Sequence, residues 1–197
     1  MSLDRYRIAI VTGASRGIGA AIVRRLSARG LAVHAVARAS AELDTLARET
    51  GCRAVALDVA DRDAVLARLA SIDADILINN AAAPARGTPA WEADPADVQK
   101  VIEVNIQGAL NCLAATVPGM KRRGRGHIVQ LGSTGGTWAL PGMPIYAMTK
   151  AALHNMVATL RLDLHGSGVR VSEISPGRVE TGMHLARSEE HTSELQS

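Results

Sequence analysis

The sequence predicts an α/β fold: a three-layer, doubly wound parallel sheet with helices on both faces. Three observations carry that expectation. Short apolar runs alternate with amphipathic helical patterns along the whole chain, as in successive βαβ units. The short runs are β-branched and continuous rather than alternating, which suits strands covered on both faces. Glycines stand where the intervening helices should end, at Gly30, Gly51 and Gly166.

Taken in order, the apolar runs predict strands at Ile8–Val11, Ala32–Ala37, Arg53–Leu57, Ile76–Ile78, His127–Leu131 and Val169–Ile174. Helical spacing predicts helices at Gly17–Arg29, Ala41–Thr50, Asp61–Ser71, Pro95–Arg123 and Ile145–Gly166. No internal repeat and no linker interrupts the pattern, so residues 1–186 read as a single domain.

Composition narrows the function classes. The chain has 197 residues, 47% hydrophobic and 21% charged, which is ordinary globular composition. No apolar run approaches the roughly 18 residues of a membrane span, and no leader precedes the first strand. Cys52 and Cys112 are too few for a disulfide framework, so a reducing, cytoplasmic setting is expected. The net charge of +3 does not indicate nucleic acid, because the arginines are scattered. The one dense basic cluster, Lys121-Arg122-Arg123 with Arg125, reads as a solvated helix end whose charge complements the helix dipole. The pattern calls for no metal.

The first strand runs into Thr12-Gly13-Ala14-Ser15-Arg16-Gly17-Ile18-Gly19. Glycines here permit a sharp turn and close approach of a pyrophosphate, and the helix opening at Gly17 offers free N–H groups and a positive dipole end. The spacing G-x-x-x-G-x-G differs from the common G-x-G-x-x-G. It resembles the glycine motif of the short-chain dehydrogenases/reductases, and further matches follow in that family's order. Asp58-Val59 resembles the pair that contacts adenine, and Asn79-Asn80-Ala81-Ala82 resembles the family's N-N-A-G. Ala82 departs from the usual glycine and would be strained if that position required positive φ. The resemblance spans about Arg7 to Thr181 and implies a Rossmann-type, nicotinamide-binding fold.

The end of the second strand selects between cofactors. A free ribose 2′-hydroxyl calls for a carboxylate there, yet none stands between His34 and Ala41. Arg38 and Arg16 are present instead, and guanidiniums grip a 2′-phosphate through charged, bidentate hydrogen bonds. NADP(H) is the expected cofactor.

Tyr146 and Lys150 are i, i+4 neighbours at the start of a helix. A free tyrosine titrates near ~10, and a nearby ammonium favours its phenolate, making the pair a plausible acid/base for hydroxyl proton transfer. Ser133 follows the fifth strand in Gly132-Ser133-Thr134-Gly135-Gly136, at the sheet edge where open α/β sheets bind ligands. The resemblance assigns roles. Tyr146 is the acid/base, Lys150 tunes it and binds the nicotinamide ribose, and Ser133 hydrogen-bonds the substrate oxygen. Asn105 holds a proton-relay water. Gly13, Ser15, Arg16, Gly17, Ile18, Gly19, Arg38, Asp58, Val59, Asn79 and Ala81 contact the cofactor. So do Pro176, Gly177, Val179 and Thr181, the threonine meeting the carboxamide.

The implied reaction interconverts a secondary alcohol and a carbonyl. Gly132–Gly136 with Trp138, and the stretch from Thr159 to Pro176, are similar to a subgroup acting on 3-hydroxy acids and serine-like substrates, while Met143, Ile145 and Trp138 suit either an apolar pocket or packing. A non-catalytic NADP-binding sensor is the rival reading, and it has no need of an intact Ser-Tyr-Lys set. The resemblance also implies a homodimer or homotetramer through the helices at 95–123 and 145–166. Residues 187–197, Arg-Ser-Glu-Glu-His-Thr-Ser-Glu-Leu-Gln-Ser, read codon for codon as a translated sequencing adapter. On that reading the tail is artefactual and the domain is C-terminally truncated, with Val169–Ile174 left as an edge strand.

Overall fold

The computed structural model describes residues 5–85, 87–177 and 179. The expectations for Thr181 and for the tail at 187–197 lie outside the described residues. Six strands, β1 (Ile8–Thr12), β2 (Ala32–Ala37), β3 (Arg53–Ala56), β4 (Ile76–Asn79), β5 (Gly126–Leu131) and β6 (Val169–Ile174), form one sheet. All pairings are parallel, in the order β3-β2-β1-β4-β5-β6. The order reverses between β1 and β4, so the crevice at their carboxyl ends is the topological switch point where such sheets bind ligands.

The helices are α1 (Gly17–Ser27), α2 (Ala41–Thr50), α3 (Arg62–Leu69), α4 (Pro95–Ile102), α5 (Gly108–Arg122) and α6 (Pro144–Asp163). Alternate strand residues feed two cores. Ala9, Val11, Val33, Ala35, Ile76 and Ile78 face α1 and α2. Ile10, Val36, Val55, Leu77 and Ile128 face α3, α5 and α6. The central strands β1, β4 and β5 are therefore covered on both faces and read as mostly apolar runs, while the edge strands β3 and β6 are more exposed and carry polar residues.

The starts of α2, α3 and α4 follow side-chain caps. Ser40 accepts from Leu43 N, Asp61 from Ala64 N and Asp94 from Ala96 N. Asp61 thus precedes α3 rather than opening it. Gly51 ends α2 with φ of +70°. The basic cluster is a helix end, as expected, but two of its arginines are tied down: Arg123 pairs with Asp73 and Arg125 with the buried Asp75.

One expectation needs correction. The predicted single helix over Pro95–Arg123 is two helices joined by a π turn, Glu103–Gln107. Periodicity cannot register one wider turn inside a continuous amphipathic pattern, and such turns occur often at functional sites.

Candidate active site

The glycine turn is held by the loop that follows β4. The Thr12 hydroxyl accepts from the backbone N–H groups of Asn80 and Ala81, both at 3.0 Å. Asn80 Nδ2 donates back to Thr12 O at 2.9 Å and Gly13 O at 3.2 Å. Gly13 has φ of +63°, and a Cβ there would come within 2.8 Å of Ala81 Cα. A Cβ at Gly19 would strike the Gly13 carbonyl oxygen and lie 2.7 Å from Asn80 Nδ2. Bare backbone is thus a steric requirement of this turn. Arg16 makes no side-chain cap on α1, and no acidic residue sits in the first turn. The first N–H groups of α1 are consequently left to an anion.

Arg16 and Arg38 are both exposed at the carboxyl edge, where Ala14 N bonds Val36 O at 3.1 Å and ties the glycine turn to the end of β2. The field of Arg16 helps hold the Glu42 carboxyl below its usual range, after that carboxyl's own backbone hydrogen bond and one to Ser40.

Beyond β3, Asp58 accepts from Ala60 N at 3.0 Å. Val59 is buried, and its carbonyl accepts from Asn111 Nδ2 at 3.0 Å. Gly108 makes room for that packing, since a Cβ there would meet Val59 Cγ2 at 2.6 Å. Asn79 is also buried, its Nδ2 directed to Ala109 O at 3.4 Å beneath α5. The residue of this motif that reaches the glycine turn is its neighbour Asn80. Ala82 carries no strain: among the described residues no non-glycine has positive φ.

Ser133 caps a single 3₁₀ turn, Thr134–Gly136, its hydroxyl accepting from Gly135 N at 3.2 Å. That turn lies directly on α6, so that a Cβ on Gly136 would come 2.9 Å from Lys150 O. Pro144 at the first position starts α6, and Tyr146 follows in its first turn. The Tyr146 ring packs with Ile145 beside Ala83, Ala85 and Val101. Met143 is buried while Trp138 is 76% exposed, so of the three apolar candidates Met143 and Ile145 pack and Trp138 stands out.

Lys150 is 3% exposed. Its Nζ donates to Leu131 O at 2.9 Å and stands 5.6 Å from the centroid of the Tyr146 ring. Burial drives its pKa down to about 8, against an opposing pull from Glu173. Asn105 lies in the π turn, 1% exposed, with both ends of its side-chain amide hydrogen-bonded. Oδ1 accepts from Ala83 N at 2.7 Å, and Nδ2 donates to Thr149 Oγ1 at 3.1 Å. Thr149 in turn donates to Tyr146 O at 2.8 Å. Asn105 therefore braces the loop after β4 against the helix bearing Tyr146 and Lys150. On the last loop, Pro176 O accepts from Thr134 N at 3.3 Å, placing Pro176 and Gly177 beside the Ser133 turn.

Thr12, Asn80, Asn111 and Thr149 were not singled out from the sequence. Thr12 and Asn80 stood within the glycine motif and the Asn79–Ala82 motif, without a role of their own. The others are polar residues in apolar stretches, a signal that shows burial without naming a partner.

A glycine turn at the switch point of a doubly wound sheet, with tyrosine and lysine on the adjoining helix, defines a nucleotide-binding oxidoreductase scaffold. The family model "short chain dehydrogenase" matches residues 7–192. An uncharacterized short-chain type dehydrogenase/reductase of Sinorhizobium fredii is 37% identical over 182 residues, 92% of this chain and 73% of that protein. The NADP-dependent 3-hydroxy acid dehydrogenase of Escherichia coli is 40% identical over 179 residues, 87% of this chain and 72% of that one. A closed form of serine dehydrogenase complexed with NADP+ superimposes with a TM-score of 0.89 at 37% identity, covering 95% and 79% of the two chains. The chain belongs to the short-chain dehydrogenase/reductase family, and is an oxidoreductase of that family.

Proposed function

We propose that this chain is an NADP(H)-dependent enzyme interconverting a secondary alcohol and a carbonyl, with a 3-hydroxy acid or related small molecule as substrate and Tyr146 as general acid/base. The observation that carries the reading is Lys150: a buried ammonium anchored on Leu131 O and set beside the Tyr146 ring, next to the Ser133 turn. The substrate class rests on the relatives with named 3-hydroxy acid and serine dehydrogenase activities.

The residues present fit the cofactor. Gly13, Gly17 and Gly19 give a pyrophosphate access to the uncapped amides of α1, with Ser15 and Ile18 in the same turn. Arg16 and Arg38 bind the 2′-phosphate, and Asp58, Val59, Asn79 and Ala81 line the adenosine side. Pro176, Gly177 and Val179 take the nicotinamide side, a role that the family resemblance also assigns to Thr181. Bound NADP(H) supplies or accepts the hydride. Ser133 orients the substrate oxygen by hydrogen bonding. Tyr146 Oη gives or takes the hydroxyl proton, and the Lys150 ammonium favours the phenolate while holding the ribose. Asn105 keeps α6 in register with the loop after β4 and holds the water through which the proton is relayed.

Residues 1–186 act as one domain on this reading. Exposed Leu110 on α5 and Met148 and Leu162 on α6 support homodimer or homotetramer assembly through these helices. The two free, buried cysteines suit a cytoplasmic setting. No helix among the described residues is long and apolar enough to cross a membrane.

A screen of 3-hydroxy acids and serine, followed by NADPH absorbance, tests the reaction. NADP-linked turnover of at least one is expected, and none with any secondary alcohol or carbonyl overturns the reading. Cofactor choice is tested at Arg38. Arg38→Asp removes a charged hydrogen bond of about 1.5–3 kcal/mol, so NADPH affinity should fall at least about tenfold while NADH affinity is spared. Equal titration curves for the wild type and the variant would exclude the assigned role.

A further inference from the structure

Glu173 breaks the pattern of its strand. Val169 and Val171 of β6 point into the core covered by α6, and the alternation puts Glu173 on that same face, where another apolar residue is expected. Its side chain is only 10% exposed. Its Oε2 pairs with His154 Nδ1 at 2.7 Å, and Oε1 accepts from Ser175 Oγ at 3.2 Å. The carboxylate lies on the backbone that leads into Ser133, because a Cβ on Gly132 would collide with Glu173 Oε1. Along α6, Tyr146, Lys150 and His154 recur every four residues and form one stripe. Glu173 thus sits between the outer end of that stripe and the turn bearing the serine.

We propose that Glu173 is the counter-charge of Lys150 and, braced by His154 and Ser175, a positioning residue that keeps the buried ammonium charged and holds the Gly132–Ser133 backbone against α6. A lone ammonium in an apolar surround tends to shed its proton, and a Lys150 without its charge would no longer favour the Tyr146 phenolate. A carboxylate on the neighbouring strand opposes that loss, and its electrostatic pull on Lys150 is in that direction. The charged and titratable groups that α6 and β6 bring near this region include Tyr146, His154 and Arg161 from α6, Arg161 Nε donating to Val171 O at 3.1 Å, and Glu173 from β6. β5 contributes the uncharged Gln130 and the Leu131 carbonyl, and the π turn contributes Asn105. This inference rests on the proposed pairing of Tyr146 with Lys150.

Lysine composition makes the test direct. The chain has three lysines, Lys100, Lys121 and Lys150, and the first two are exposed. In the full chain labelled with ¹³C-lysine, Lys150 Cε should titrate well apart from the others. In Glu173→Gln, which keeps the shape and one of the two acceptor oxygens while its amide nitrogen becomes a donor at the other position, the Lys150 midpoint should fall by at least about half a pH unit, with Lys100 and Lys121 unmoved. Glu173→Asp should restore part of the shift. His154→Leu, which frees the carboxylate toward water, should move Lys150 in the same direction by less, and it serves if Glu173→Gln does not fold. With NADPH, the alkaline limb of carbonyl reduction should move to lower pH in parallel. An unchanged Lys150 midpoint in the folded Glu173→Gln protein, or in His154→Leu where that protein is used, overturns the proposal. The NMR titration needs neither cofactor nor substrate, so it stays readable even if NADP-linked turnover is never found.

Discussion

Tyr146→Phe is expected to lower turnover by about 10²–10⁴-fold, the usual size of a general acid/base contribution, while NADPH affinity stays within a few-fold of wild type. Phenylalanine retains the ring that packs beside Ala83, Ala85 and Val101. It also retains the face toward which Lys150 Nζ is turned, 5.6 Å from the centroid. Only the phenolic oxygen is lost, and with it the atom proposed to exchange a proton with the substrate. Single-turnover rates with NADPH, beside cofactor titration by fluorescence, separate chemistry from binding. A variant within a few-fold of the wild-type rate would assign the proton transfer to another group.

Lys150→Met should abolish most turnover yet stabilise the protein at neutral pH. The folded pKa of Lys150 is about 8 against an ordinary 10.5. Below pH 8 both folded and unfolded chains hold the proton, and the folded state bears the full cost of burying the charge. Between about 8 and 10.5 the unfolded chain still holds a proton that the folded chain has released, so the stability of wild type relative to the variant rises with pH. The shift corresponds to about 3 kcal/mol. Loss of the bond to Leu131 O returns about 1 kcal/mol of that. Lys150→Met should therefore be more stable by about 2 kcal/mol at pH 7, with the advantage gone near pH 10.5. Urea unfolding of both proteins at pH 7 and pH 10 measures this, and a gap independent of pH would show that Lys150 is not held as a strained cation. A stability cost retained at this position fits a site selected for chemistry over packing.

Much of the architecture was legible in the residues. All six strands fall within a residue or so of their predicted bounds, because the central strands, buried on both faces, leave a nearly continuous apolar signature and the edge strands still keep a short run of β-branched or small apolar residues between helical patterns. The glycine turn, the i, i+4 placement of Tyr146 and Lys150, and the loop bearing Ser133 were equally readable. Each depends on local spacing along one element.

What the residues did not disclose depends on contacts between segments far apart in the chain. The π turn within the predicted helix is one case, since it widens a single turn without disturbing the apolar stripe. Asn105 is another. Its partners Ala83 and Thr149 are 22 and 44 residues away, so its use as a brace emerges only once α6 docks on the sheet. The side chain of Asn79, at the end of β4, is directed under α5, while that of Asn80, just beyond the strand, meets the glycine turn, a division that the spacing of the motif does not reveal. Glu173 shows the limit most clearly. The alternation in β6 places it on the helix-covered face, but only the packed structure brings His154, Ser175 and Gly132 around its carboxylate. The sequence by itself determined the layered fold, the glycine turn and the i, i+4 placement of Tyr146 and Lys150, because periodicity and short motifs encode them within a single element. The tertiary structure decided which polar groups are buried and what they hold, because a buried polar side chain must find its hydrogen-bond partner wherever packing delivers one.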